Sequence, residues 1–220
     1  MVKVQKNIDD FPKTLRVFPL SNVLLLPGGH LPLNIFEPRF LEMIDDALRT
    51  DRLIGMIQNA PHQSSKQDLD LFKTGCAGRI TQFDETDDGR YVITLKGVCR
   101  FKVKEELETI KPYRQFSVCW QSHEDDLEKQ DAYFKNRDAV LDALKGYFYK
   151  HEMKCDWEIV KQTPDSKLIT LLSMICPFSA EEKQALLEAP NPCCRADILF
   201  SLLEMEAVLD CHLDSEHAKH

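Results

Sequence analysis

Residues able to do chemistry are plentiful in this chain, but their spacing seldom suits a reaction. In HEMKC, His151 and Cys155 stand four apart with Glu152 between them, close to the zinc motif H-E-x-x-H but with cysteine in place of the second histidine. A His–Cys pair needs two further donors to hold zinc. No C-x-x-C supplies them, and the adjacent Cys193 and Cys194 are too close together for an ordinary clamp. Cys211, His212, His217 and His220 make a metal-prone tail whose expected state is frayed and solvated. Ser166-Lys167 could be imagined as a serine–lysine dyad, yet neighbours on a helix point in different directions. No thiol has the local signature that pairs a cysteine nucleophile with a base. The expectation is no catalytic residue, no metal and no cofactor.

A second chemistry is carried by cations. Arg79, Arg90, Lys96, Arg100, Lys102 and Lys104 gather in strand-like text, with Tyr91 and Phe101 as conceivable base-stacking platforms. Against RNA binding, the formal net charge is −8, so the overall field repels a phosphate backbone. The alternation of Arg100, Lys102 and Lys104 also suits the wet face of an amphipathic strand. A third possibility needs only apolar surface. Binding an unfolded polypeptide calls for exposed hydrophobic side chains or a free strand edge. Leu24, Leu33, Ile35, Phe36 and Phe40, with Tyr91 and Phe101, form the candidate neighbourhood.

The elements that would position these residues change character along the chain. Up to about residue 122 the text is strand-like: TLRVFPL, NVLLL, RLIGMIQ, GCAGRITQFDE, RYVITLKG, CRFKVKEEL and RQFSVCW are short and rich in β-branched or aromatic residues. Asp88-Gly89 predicts a hairpin turn with positive φ at both positions. Such closely spaced strands suggest a small barrel or sandwich. From residue 123 onward the text is helical. A helix is expected from Leu127 to about His151, and another over SKLITLLSMIC with Leu168, Leu171, Leu172 and Ile175 on one face. Ser179 and Glu182 form a capping box, and the final run puts Ile198, Leu202, Met205 and Leu209 along one stripe.

The densest stretch is LPGGHLPLNIFEPRF, Leu26 to Phe40. Pro19 and Pro27 break apolar runs, and Pro27-Gly28-Gly29 predicts a turn with positive φ at glycine. Pro38 suits the first turn of a helix near residues 38–49, where its missing N–H costs nothing. Phe36 is placed to staple onto Leu41, with Phe40, Ile44, Ala47 and Leu48 as the buried stripe. Glu37 and Arg39 are expected to lock the turn and tie the helix to the barrel by charge-assisted hydrogen bonds.

FPLSNVLLLPGGHLPLNIFEPRFLEMIDDAL, followed by DRLIGMIQ, GCAGRI, DGRYVITLKGVCRF and SAEEKQALLEA, resembles the Lon protease N-terminal (substrate-binding) domain family from about Leu15 to Leu209. Gly89 and Arg100 are among the later positions that support the likeness. The resemblance implies an α+β fold, with a PUA-like β-barrel-type subdomain over residues 1–122 and an α-helical bundle over 123–220. It also implies recognition of protein substrates. No G-x-x-x-x-G-K-[ST] phosphate loop is present, so the expectation is a stand-alone form without ATPase or peptidase domains. Its partners would be unfolded or partly unfolded polypeptide and a separate protease or chaperone, with no membrane. An RNA-binding module on the same barrel stays open as the alternative. The N-terminus has no apolar core of a signal peptide, so the expected location is cytoplasmic, with the eight cysteines as thiols.

Overall fold

The structure is a computed structural model that describes residues 7–60, 71–128 and 130–217, with side chains described up to residue 205. The first six residues of the N-terminal stretch weighed as a signal peptide lie outside it, as does His220. The strands are β1 (Thr14–Pro19), β2 (His30–Ile35), β3 (Leu53–Ile57), β4 (Thr74–Glu85), β5 (Tyr91–Glu106) and β6 (Gln115–Cys119). The helices are α1 (Pro38–Arg49), α2 (Arg137–Lys150), α3 (Trp157–Gln162), α4 (Asp165–Ile175), α5 (Ala180–Glu188) and α6 (Pro192–His217). The chain divides into two units, Met1–Gln130 with Pro177–Leu187, and Asp131–Cys176 with Glu188–His220.

In the first unit the strands follow the order β2-β5-β4-β3-β1-β6, and β6 also pairs with β5, so five strands close on themselves. Closure removes the free edges that a flat sheet would expose. All pairings are antiparallel except β1 with β3. Closure depends on β5, which at 16 residues merges two segments expected to be separate strands. It pairs with β4 from Tyr91 to Lys102, with β2 from Tyr91 to Lys96, and with β6 from Lys102 to Glu106. NVLLL, by contrast, is not a strand; Leu24, Leu25 and Leu26 are buried in an irregular segment that enters the core.

Two turns fix the register. Gly29 donates its N–H to Leu26 O at 2.9 Å, and Gly28 sits at φ 78°, as expected for a turn with proline then glycine at its centre. This turn is pressed against β5: Gly28 N donates to Gly97 O and Gly97 N to Gly29 O, both at 2.9 Å. A Cβ on Gly97 would lie 2.0 Å from Leu26 O. In the β4–β5 hairpin only Gly89 has positive φ; Asp88 does not, correcting the two-residue expectation. Gly89 N donates to Thr86 O and Thr86 N to Arg90 O, which describes a three-residue loop.

The barrel core gathers Leu15, Val17, Leu53, Ile57, Phe101, Phe116 and Trp120. Phe101 is 0% exposed, its ring so close to Gly75 that any Cβ there would meet it at 2.6 Å. Beside it lies Arg100, 3% exposed, in a pair with Asp126 at 2.8 Å. Asp126 also accepts from the Arg100 backbone N–H at 2.9 Å, and the guanidinium donates to Leu187 O at 2.9 Å. The expected boundary near residue 122 therefore differs from the observed one in two places. The short helical turn at Gln121–Leu127 stays with the barrel because it carries Asp126. α5 stays with it too: Gln184 donates to Thr74 O, Lys183 to Asn22 O, and Gln58 to Ala180 O.

In the second unit the helix expected from Leu127 begins only at Arg137, because the preceding residues bond to other elements. Phe134 N donates to Asp165, Lys135 pairs with Asp197, and Asn136 caps the helix by accepting from Ala139 N at 3.1 Å. Arg137 pairs with Asp165 and donates to the carbonyls of Val160, Lys161 and Thr163, which end α3. On α4 the buried residues are Leu168, Ile169, Leu172 and Ser173, while Leu171 and Ile175 face solvent. On α6 the buried stripe is Ala196, Leu199 and Leu203. Ile198 and Leu202 flank it and Met205 is exposed, one position off the expected stripe. The side chain of Leu209 lies outside the described residues. α6 runs to His217, so the tail expected to fray is helical backbone there; the side chains of Cys211, His212 and His217 lie outside the described residues.

Two substitutions test these contacts. Gly97→Ala is expected to cost about 3 kcal/mol or more, because backbone must move to admit the methyl group, whereas Gly28→Ala costs about 1 kcal/mol of φ strain alone. Urea denaturation of the two variants measures the difference, and equal losses would refute the close approach. Arg100→Ala is expected to destabilise by about 3–5 kcal/mol, since it leaves Asp126 buried and unpaired. Replacing both Arg100 and Asp126 with apolar residues is expected to recover part of that loss.

Candidate functional site

The sequence-derived candidates separate cleanly by burial. Leu24, Ile35, Phe40 and Phe101 are core residues and offer no surface to a ligand. Leu33 and Tyr91 are half-buried, and Phe36 is 63% exposed. The basic strand patch also loses its centre. Arg100 is consumed by Asp126, and Phe101 has no exposed ring to stack on a base. Lys102 and Lys104 are exposed, but Glu105 and Glu106 follow and Arg114 pairs with Glu106 at 2.7 Å.

The remaining apolar candidates lie where β2, β5 and β4 run past the closed barrel. Leu33 stands opposite Ile93, and Ile93 opposite Phe83; Ile35 stands opposite Tyr91, and Tyr91 opposite Glu85. Residues directly opposite share a face, so Leu33, Phe83 and Tyr91 belong to one side of this extension. The rings of Phe83 and Tyr91 meet edge-on at 4.9 Å between centroids. Phe83 is 41% exposed and was missed by the sequence reading. An extra residue at Thr81 shifts the register between Ile80 and Gln82, so Ile80 and Phe83 fall on one face although strict alternation separates them. The bulge leaves no mark in residue type.

α1 orients this neighbourhood. The Tyr91 hydroxyl donates to Asp45 at 3.2 Å, and burial, followed by the Asp45 charge, holds its phenol above the ordinary range. Phe40 packs on Phe18 of β1 with centroids 4.2 Å apart. Tyr113 donates to Asp46 at 2.7 Å, and Lys111 reaches both Asp46 and Glu42. These contacts tie the helix to the barrel. Arg39 and Glu37 do pair at 2.8 Å, but both are exposed, and Arg39 lies over the Phe40 ring at 4.5 Å. The pair locks the turn locally and does not reach the barrel, which corrects the expected tie. Phe36 is too exposed to serve as much of a staple.

Nothing gathers into a reactive centre among the described residues. Burial pushes the Cys99 thiol up to about 12, which leaves it protonated. His151 stacks on Tyr147 at 4.2 Å, and α2 ends before it, with Glu152 at φ 52°, so Cys155 is not one helical turn onward. Among the described residues no group of three or more His, Cys, Asp or Glu could hold a metal ion. No described helix is long and apolar enough to cross a membrane.

The α1 anchor has a pH signature. Hydrogen bonds from Lys111 and then Tyr113 hold the Asp46 carboxyl below its ordinary 3.8. A depressed carboxylate stabilises the fold fully above its unfolded value and loses that contribution as pH falls through the folded one. Asp46→Asn is therefore expected to melt below wild type at neutral pH, with the gap narrowing as pH drops from about 4 toward 2. Melting curves across that window check it; a constant gap would refute it.

Comparison with known proteins agrees with this architecture. The chain is 25% identical over 202 residues to a Lon protease of Cytophaga hutchinsonii, an alignment covering 90% of the chain and 25% of that protein. It is 27% identical over 210 residues to Lon protease 2 of Myxococcus xanthus, with 90% and 24% coverage. The chain thus spans about a quarter of the length of these curated relatives. Among solved structures, a Lon N-terminal domain protein from Xanthomonas campestris superposes with TM-score 0.59 at 23% identity, covering 86% of this chain and 97% of that one. The N-terminal domain of a Mycobacterium avium complex Lon protease gives 0.60 at 16% identity, with 87% and 98% coverage. The family model of the ATP-dependent protease La (LON) substrate-binding domain matches residues 14–205, and the chain belongs to that family.

Proposed function

We propose that this chain is a non-catalytic polypeptide-recognition module that engages unfolded or partly unfolded segments and presents them to a separate protease or chaperone in the cytoplasm. The observation that carries the reading is the match of a substrate-binding domain over residues 14–205. The surface best suited to the task is the extension of β2, β5 and β4. There Phe83 is exposed beside the half-buried Tyr91 on the face that Leu33 shares, and the exposed Phe36 directly follows β2, on a scaffold whose closure and α1 anchor are consistent with a PUA-like barrel. Apolar side chains held open by a rigid scaffold offer contact area to a chain without a folded shape of its own. The same residues provide no nucleophile–base pair and no oxyanion donor set, so binding is the whole of the proposed activity.

The test is fluorescence anisotropy of the intact chain with two labelled ligands, a reduced and alkylated unfolded model protein and a single-stranded RNA, at low and moderate salt. Binding to the polypeptide is expected to survive salt. Phe36→Ala is expected to weaken it roughly tenfold at unchanged melting temperature, the loss of one large apolar contact. RNA binding that collapses with salt, or no polypeptide binding at all, would sink the reading.

A further inference from the structure

Among the described residues, barrel closure leaves few unpaired strand edges in the first unit, and two of them belong to the extension. One is the outer side of β2, whose described pairing is with β5; the other is the outer side of β4 from Thr81 to Glu85, beyond its pairing with β3. Which backbone groups face outward follows from the hydrogen bonds at the ends of each ladder and the alternation of antiparallel pairing. Gly97 N bonds to Gly29 O, so Leu31, Leu33 and Ile35 face β5, and His30, Pro32 and Asn34 face out. On β4, Thr86 N bonds inward to Arg90 O while Ile80 N bonds away from β5 to Arg52 O. With the extra residue at Thr81, Gln82 and Asp84 face β5, and Phe83 and Glu85 turn their N–H and C=O groups outward.

The two edges differ chemically. The β2 edge has Pro32 at an outward position, where no N–H exists, which blunts it as a template. The β4 edge keeps its outward donors at Phe83 and Glu85, and every residue from Thr81 to Glu85 is exposed. Acids border it: Asp84, Glu85, Asp87 and Asp88, against Arg90, which pairs with Asp88 at 2.8 Å. A second copy of the same edge would set these carboxylates against their own kind, so self-pairing is disfavoured. An extended segment alternating cationic and apolar residues meets no such repulsion.

We infer that the outer edge of β4 at Phe83–Glu85 accepts an extended, positively charged and apolar polypeptide segment as an added antiparallel or parallel strand. This rests on the polypeptide-recognition reading and gives it a binding mode: backbone pairing supplies affinity, Phe83 an apolar contact, and Asp84 and Glu85 the charge preference.

The experiment titrates the intact chain and three variants with a labelled ten-residue peptide alternating lysine and valine, and with its glutamate–valine counterpart. Glu85→Pro removes an outward donor without touching the β5 ladder and is expected to cut affinity for the lysine peptide at least tenfold. Glu85→Gln, which keeps the donor, is expected to lose only a few-fold. Asn34→Pro, on the β2 edge, is expected to bind as wild type. In wild type, amide exchange at Phe83 and Glu85 slows on adding the lysine peptide, a readout independent of how any variant folds. If wild type binds unfolded polypeptide but Glu85→Pro matches it, Asn34→Pro loses binding, the glutamate peptide binds equally, or those two amides stay unprotected, the edge assignment is overturned and the recognition reading survives. If wild type binds neither the unfolded model protein nor the lysine peptide, both fall.

Discussion

The constraint on which the barrel depends is that β5 must change partners in mid-strand without leaving backbone groups buried and unpaired. β2 accompanies it to Lys96 and β6 takes over at Lys102. In the gap, both polar groups of Gly97 are taken by the Gly28-Gly29 turn, and the Arg100 N–H is taken by the Asp126 carboxylate. An unpaired buried amide costs about as much as a mutation that unfolds a marginal domain. The turn after Pro27 and the helical turn bearing Asp126 are therefore parts of the barrel as much as any strand. The identity of Gly97 follows directly, because only a residue without Cβ lets the Leu26 carbonyl approach so closely.

The same gap explains the buried Arg100–Asp126 ion pair. Asp126 is needed there as an acceptor for backbone, and an unpaired carboxylate at 7% exposure would be prohibitively desolvated. Arg100 supplies the compensating charge from the very residue whose N–H Asp126 accepts, and its Nη1 donates to Leu187 O at the end of the α5 segment. One ion pair thus satisfies the partner switch, through Asp126, and fastens a segment 87 residues later in sequence, through Arg100. That is why α5 belongs with the barrel, despite a sequence position among the helices of the second unit.

Much of this was legible in residue types. Pro27-Gly28-Gly29 announces its turn, Pro38 its helix start and Ser179–Glu182 its reciprocal cap, with both cap hydrogen bonds present at 2.8 and 3.2 Å. These are local devices, and local chemistry writes them. What stayed hidden was set by pairing. Phe83 shares a face with Ile80 only through the bulge at Thr81, and Arg100 looked like one cation of a wet face because nothing near it in sequence names Asp126. The α4 and α6 stripes were misjudged for a related reason: Leu171, Ile175 and Met205 are apolar, but helical periodicity alone does not say which of two adjoining apolar stripes finds a partner.

Closure also bears on where recognition is possible. A barrel that consumes the backbone of five strands offers a flexible chain only side chains over most of its surface, and those side chains are largely polar or buried. The extension is different, because β5 is longer than closure requires and carries β2 and the end of β4 beyond the closed ring. There apolar faces and unpaired backbone coincide. Proline at an outward position of β2 and carboxylates along β4 guard the two edges by unlike means. Proline removes a donor and weakens pairing with any strand, whereas charge opposes only strands of like sign. An edge protected by charge alone is therefore selective where one protected by proline is weakened for every strand alike. For the proposed recognition role, this asymmetry gives the β4 side its significance.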